Sequence, residues 1–148
     1  MLTPHAHLQI AFFLRQLIGW WFFMLGYFKV FLVPGGVSQF TQNGFVDSYA
    51  DSFLPAWSLH IAGYFDALGE VGCGAMLILG LGVRPATWIL MAILVMVTFG
   101  HQINNPTYPL GDHVLGPAIG LVGIAILAGS RDRLALDRLI LPKDKPEA

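Results

Sequence analysis

Charge is scarce in this sequence. Lys and Arg number 8 and Asp and Glu 9, so charged residues make up 11% of the 148. A soluble domain averages roughly 25% charged, and a chain with so few cannot cover itself with a water-facing surface. The formal net charge of −1, with no basic cluster interleaved with aromatics, gives no footprint for nucleic acid. Cysteine occurs once, as Cys73, which excludes an intrachain disulfide and a Cys-x-x-Cys redox pair; as a small residue in a glycine-rich stretch it reads as packing. No glycine-rich dinucleotide fingerprint, flavin motif or iron–sulfur cysteine set occurs. Lys and Arg are also missing from the first seven residues, Met1-Leu2-Thr3-Pro4-His5-Ala6-His7. The apolar run that follows exceeds the h-region of a secretory signal, and no small-x-small cleavage site follows it. We therefore expect an uncleaved first membrane span.

Apolar residues, in contrast, make up 55% of the chain, with a mean hydropathy of +0.65. Four segments, at about 8–33, 58–81, 85–103 and 111–129, approach the ~20 residues that span ~30 Å of hydrocarbon. Pro34-Gly35-Gly36 ends the first. Gly82-Val83-Arg84-Pro85 is a tight turn, with Pro85 suited to the first position of the third helix. Asn104-Asn105-Pro106-Thr107-Tyr108-Pro109 reads as a loop. The fold class is all-α: an integral membrane four-helix bundle over 1–130 and an interfacial tail over 131–148. The loops 34–57 and 104–110 carry no Lys or Arg, whereas Arg84 lies in the second connection and Arg131, Arg133, Arg138, Lys143 and Lys145 in the tail. By the positive-inside rule both termini are cytoplasmic. The stretch 38–57, with Phe40, Phe45, Tyr49, Phe53 and Trp57, reads either as a segment at the lipid headgroups or as a lid over an outward-facing pocket.

Acids within the second span are the most informative feature. Asp66 and Glu70 are four residues apart and share a helix face, where a carboxylate is costly unless buried, paired or protonated. In the first span Arg15, Gly19, Phe22, Gly26 and Lys29 fall on one stripe, whose glycines permit close approach. By depth, at 1.5 Å per residue, Lys29 suits Asp66 and the longer-reaching Arg15 suits Glu70; the alternative for each cation is snorkelling to its nearer headgroup layer. Thr87, Met91, Leu94, Thr98 and His101 stripe the third span, with Gln102 beside His101. Asp112 and His113 open the fourth, before Gly116-x-x-x-Gly120. His60, Lys29, Asp66, His101, Gln102, Asp112 and His113 thus all belong to the outer half. Together they suggest a pocket for a small polar or quinone-like molecule, with cations and histidine meeting its oxygen and a carboxylate relaying a proton. Two facing histidines could instead hold a haem, although no metal-ligand spacing accompanies them, and we expect no metal site. A buried ion-pair network that only sets helix register is the structural alternative.

The order and spacing of Leu14-Arg15, Gly19, Phe22-Phe23, Gly26 and Lys29, then Glu70, Gly74, Leu77, Leu79-Gly80-Leu81 and Arg84, and then His101, resemble the DoxX family of small bacterial four-helix membrane proteins. Val83 departs from the Thr or Ser the family pattern leads one to expect before the arginine. The resemblance implies a multi-pass protein of the bacterial or archaeal cytoplasmic membrane, working beside a redox partner protein in quinone or sulfur chemistry, as in a thiosulfate:quinone oxidoreductase. It carries Arg15, Lys29, Glu70 and Arg84 over as family-matched residues. On this reading the chain is at most one subunit of an oxidoreductase. Its rivals are a non-catalytic anchor or assembly subunit, and a small transporter or proton path, which would need a homo-oligomer to make room.

Overall fold

The computed structural model describes residues 4–109 and 111–127 of the chain. The described residues are helical and contain no strand. Helix α1 (Pro4–Tyr27) runs on as a π-helical turn over Phe28–Leu32. It starts about one turn earlier than hydropathy alone suggests, with Pro4, whose missing N–H costs nothing in a first turn, as its first residue. It stops at Val33, whose extended backbone (φ −68°, ψ 127°) is what a residue before proline adopts.

The stretch from Pro34 to Pro55 is largely folded. Helix α2 (Gly36–Thr41) continues as a π-helical turn over Gln42–Asp47, and both pack on the N-terminal part of α3. Within this stretch Thr41 is fully buried and Tyr49 is buried, while Phe53 stays exposed.

Helix α3 (Ala56–Leu79) closes with Gly80 in the left-handed region (φ 73°). The Gly80 N–H meets Leu77 O at 3.2 Å and the Leu81 N–H meets Met76 O at 2.9 Å, the paired bonds of a Schellman cap. Helix α4 (Val83–Asn104) follows after the single residue pair Leu81-Gly82. Pro85 is its third residue rather than its first. Proline is accepted there because the N–H groups of a first turn lack intrahelical acceptors anyway, and the first helical bond, Ala86 N–H to Gly82 O at 3.0 Å, lies just beyond it. Helix α5 (Gly116–Leu127) is preceded by a π-helical turn over Gly111–Leu115. The far end of the fourth expected span and the tail over 131–148 lie outside the described residues.

Three stretches, Ala6–Leu32, Ala56–Leu79 and Val83–Asn104, are long and apolar enough to cross a bilayer, and Gly116–Leu127 is a shorter apolar helix. Packing runs α1 to α3, α3 to α4, α4 to α5 and α5 back to α1, around a core that includes Ile18, Phe22, Leu77, Leu90, Ile93 and Leu121. Outside it, Phe13, Trp88, Val95, Ile119 and Ile126 are each at least 65% exposed, while Arg15, Asp66 and Glu70 are buried. Apolar side chains outside and charges inside make sense only with lipid as the solvent.

The α1–α3 pair is the tightest seam. A Cβ on Gly26 would overlap the Val71 backbone, and one on Gly74 would overlap the Phe23 backbone. Gly19 meets Leu77 and Ile78. Each step forward along α1 is matched by an equal step back along α3, so the helices are antiparallel in one fixed register. In α5, Gly120 lies against Ile18 whereas Gly116 has open space, so only one glycine of that pair serves close packing. Gly26→Ala and Gly74→Ala should each lower unfolding stability by about 1–3 kcal/mol, the usual cost of overpacking. Gly72→Ala, where a Cβ meets nothing within 4 Å, should be neutral or stabilising by up to ~1 kcal/mol through helix propensity. Thermal unfolding of the detergent-solubilised protein checks the contrast.

A buried ion triad and its cover

Lys29 sits in the π-helical turn that ends α1, a local widening common at functional positions. The α1–α3 register sets its side chain opposite the stretch between Asp66 and Glu70. Its Nζ lies 2.6 Å from Asp66 Oδ2 and 2.6 Å from Glu70 Oε2. The Asp66 contact is also a hydrogen bond, donated by Nζ; the Glu70 contact is an ion pair without hydrogen-bond alignment. Both acids lie one above the other on α3 because they are four residues apart. Phe40, from α2, places its ring 5.2 Å from the same Nζ, a cation–π contact that covers the ammonium from the loop side. Lys29 therefore serves both acids.

Arg15 does something other than pair with Glu70. Its Nη1 donates to Leu77 O at 2.8 Å and Ile78 O at 3.2 Å, and the adjacent Gln16 Nε2 donates to Ile78 O at 2.9 Å. The expected Arg15–Glu70 pair is thereby replaced. In the antiparallel register Arg15 faces the C-terminal end of α3, and two helical turns separate Leu77 from Glu70, roughly 10 Å at 1.5 Å per residue. There the guanidinium reaches Ile78 O, which the end of α3 leaves open, shares Leu77 O with the Gly80 N–H of the cap, and meets the negative end of the helix dipole. Gln16 carried no sequence signal beyond its neighbour; its role follows from which carbonyls α3 leaves open. Arg84 is exposed in the first turn of α4, at this same end and away from the triad.

A polar and aromatic layer closes the Lys29 end. The Thr41 side chain is fully buried and lies against Gly63, one turn from Asp66 on α3. The Tyr49 hydroxyl lies against Gly100, and Asn104 Nδ2 donates to Ser48 O at 3.0 Å, tying the end of α4 to the segment after α2. His101 stacks on Tyr108 with ring centroids 4.1 Å apart and planes 3° from parallel, and it is within electrostatic reach of Asp66. Burial, with Tyr108 nearby, pushes the Tyr49 phenol above its ordinary value, so it stays neutral. Thr41 was missed at the sequence level because a threonine in a polar loop shows no pattern; a glycine at its partner position, Gly63, is the only trace. His60 is exposed on the first turn of α3, apart from this layer, and the side chain of His113 lies outside the described residues. Among the described residues no group of three or more His, Cys, Asp or Glu converges as a metal-ligand set.

Between α4 and α5 lies a cavity of about 570 Å³ lined by Met91, Val95, Phe99, Ala118 and Val122 among others, with Thr98 and Gln102 as its polar side chains. The stripe Met91, Leu94 and Thr98 thus faces this cavity, and Gln102 with it, while His101 turns to Tyr108. Of the residues expected to share a polar pocket, Lys29, Asp66 and Glu70 meet in the buried cluster and Gln102 lines the groove.

Removing one partner of a buried ion pair leaves a lone charge, a loss of about 3–5 kcal/mol. Lys29→Met should therefore cost about 3–5 kcal/mol of stability. The triple change Lys29→Met, Asp66→Asn, Glu70→Gln should recover most of it, because all three charges go together. Unfolding midpoints of the purified variants in one detergent measure both.

The comparisons with known proteins follow the same residues. The DoxX family model matches residues 10–102, which takes in both halves of the α1–α3 seam, the triad and the end of α4. No curated protein and no solved structure matches the chain. With more than half of its length matched and the apolar helices of a multi-pass membrane protein, this chain belongs to the DoxX family.

Proposed function

We propose that the chain is the membrane subunit of a quinone- or sulfur-linked redox complex, and that it manages protons for a quinone-like molecule at the Lys29 end of the bundle. What supports this reading is that one bundle holds both a buried acid pair with one cation and an apolar groove whose polar side chains are Thr98 and Gln102, the latter next in sequence to His101. The groove fits a molecule with an apolar tail and a polar head. Its walls are aliphatic and aromatic, and the Gln102 amide is the polar group with both a donor and an acceptor to offer. Thr98 already donates its hydroxyl to Leu94 O at 2.6 Å, which leaves its oxygen as an acceptor. A quinone, when bound, supplies two-electron, two-proton redox chemistry. The chain has no electron-carrying motif, so electrons come from a redox partner protein. His101, next to Gln102 and within reach of Asp66, is placed to pass a proton between groove and triad. Positive charge in Arg84 and the tail orients both termini to the cytoplasm and sets the triad in the half of a bacterial or archaeal cytoplasmic membrane facing away from it.

A second reading has its own support. Arg15 and Lys29 bind α1 to α3 at the two ends of one seam, as in a non-catalytic anchor held by its ion pairs. The readings separate in native complexes purified in mild detergent. On the redox reading, Glu70→Gln and His101→Ala each lower quinone reduction per complex at least tenfold, and Ala118→Trp, which fills the groove, removes quinone from the solvent extract. On the anchor reading, the first two changes lower the abundance of the complex and leave the rate per complex intact, and the extract contains no quinone in either form.

A further inference from the structure

The triad does not balance its charge. One ammonium, Lys29, stands against two carboxylates, Asp66 and Glu70, and Asp66 and Glu70 are 1% and 4% exposed. With both acids ionised the cluster carries an excess negative charge inside hydrocarbon, which is expensive. We propose that the Lys29–Asp66–Glu70 cluster is a proton-binding site that holds one proton, shared between Asp66 and Glu70, while Lys29 stays charged.

Geometry supports a proton rather than another counter-ion. Both carboxylates contact the same Nζ at 2.6 Å, which puts each within Coulombic reach of the other. Carboxylates so placed tend to share a proton, because the second charge is opposed by the first. Asp66 Oδ1 is buried with no hydrogen-bond partner, and so is Thr41 Oγ1 on the α2 side. An ionised carboxylate oxygen left without a donor in an apolar interior is the costly form; a protonated carboxyl is the cheaper one. A metal cation would have to enter beside the Lys29 ammonium, which repels it.

Few groups around the cluster could supply the missing charge. From α1, Lys29 is the facing cation, while Arg15 is committed to the carbonyls of Leu77 and Ile78. From α2 come the Phe40 ring and the Thr41 hydroxyl, both uncharged. From α4, His101 is within electrostatic reach of Asp66, and as an imidazolium it would supply the missing charge in place of a proton on the acids; the absence of a carboxylic-acid band is the outcome that assigns the charge there. The shared proton deepens the reading above but is tested on the resting protein, without quinone or partner.

Infrared spectroscopy of the full chain in lipid nanodiscs, in water and in deuterium oxide, reads the proton directly. At neutral pH the wild type should show a carboxylic-acid C=O stretch equal to one group per chain, shifted in deuterium oxide. Glu70→Gln and Asp66→Asn should each abolish it, because either change leaves one cation against one anion. No such band in the wild type, two groups per chain, or survival of the band in either folded variant overturns the proposal. So does a band that emerges only in sodium-free buffer, which would assign the site to a metal cation. Should a variant fail circular dichroism and gel-filtration checks, the wild-type intensity alone decides. A one-proton band in a protein that binds no quinone overturns the quinone reading and leaves this one standing.

Discussion

One ammonium held between two carboxylates in an apolar interior is the constraint on which the rest of this bundle depends. Such a contact forms only if the two helices that carry it come close and stay in one register. The α1–α3 seam supplies both. Gly26 against Val71, and Gly74 against Phe23, bring backbone to backbone, so a slip by one turn would drive side chains into a neighbouring main chain and pull Lys29 from its acids together. Packing and charge specify the same register, which is the consistency expected of a sequence with one low-energy fold.

At the other end of the seam the same register gives Arg15 a different task. Its partners are carbonyl oxygens at the end of α3, so a residue that looks like half of a salt bridge acts as a helix cap. The two cations of α1 therefore act in different ways. Lys29 neutralises buried charge, and Arg15 satisfies buried dipoles and the negative end of a helix. Both hold α1 to α3, the first through buried charge and the second through the end of a helix.

The cover over the Lys29 end turns a buried cluster into a site with a direction. Phe40 lies over the ammonium, Thr41 plugs the space at Gly63, and the His101–Tyr108 stack with Tyr49 closes the approach from α4. The apolar groove opens beside this cover, between α4 and α5. Water is thereby kept from the acids on the side of this cover. Exclusion of water strengthens each interaction inside, and it is also what makes the uneven charge count matter.

The sequence by itself determined the solvent, the class of fold and the faces that meet. Too few charges for water, long apolar runs, acids four residues apart and a glycine-cation stripe are all properties of composition and helical period, and these survive any arrangement of the helices. Only the tertiary structure decided which cation reached which acid, because that depends on the register between two helices, and register is set by side chains of both at once. It likewise made a helical cover of a stretch that reads as loop, since α2 is short and gains its stability from burial on α3 rather than from its own propensity. And it divided one expected pocket into an ionic cluster and an apolar groove, because neighbouring residues such as His101 and Gln102 point to different sides of the same helix.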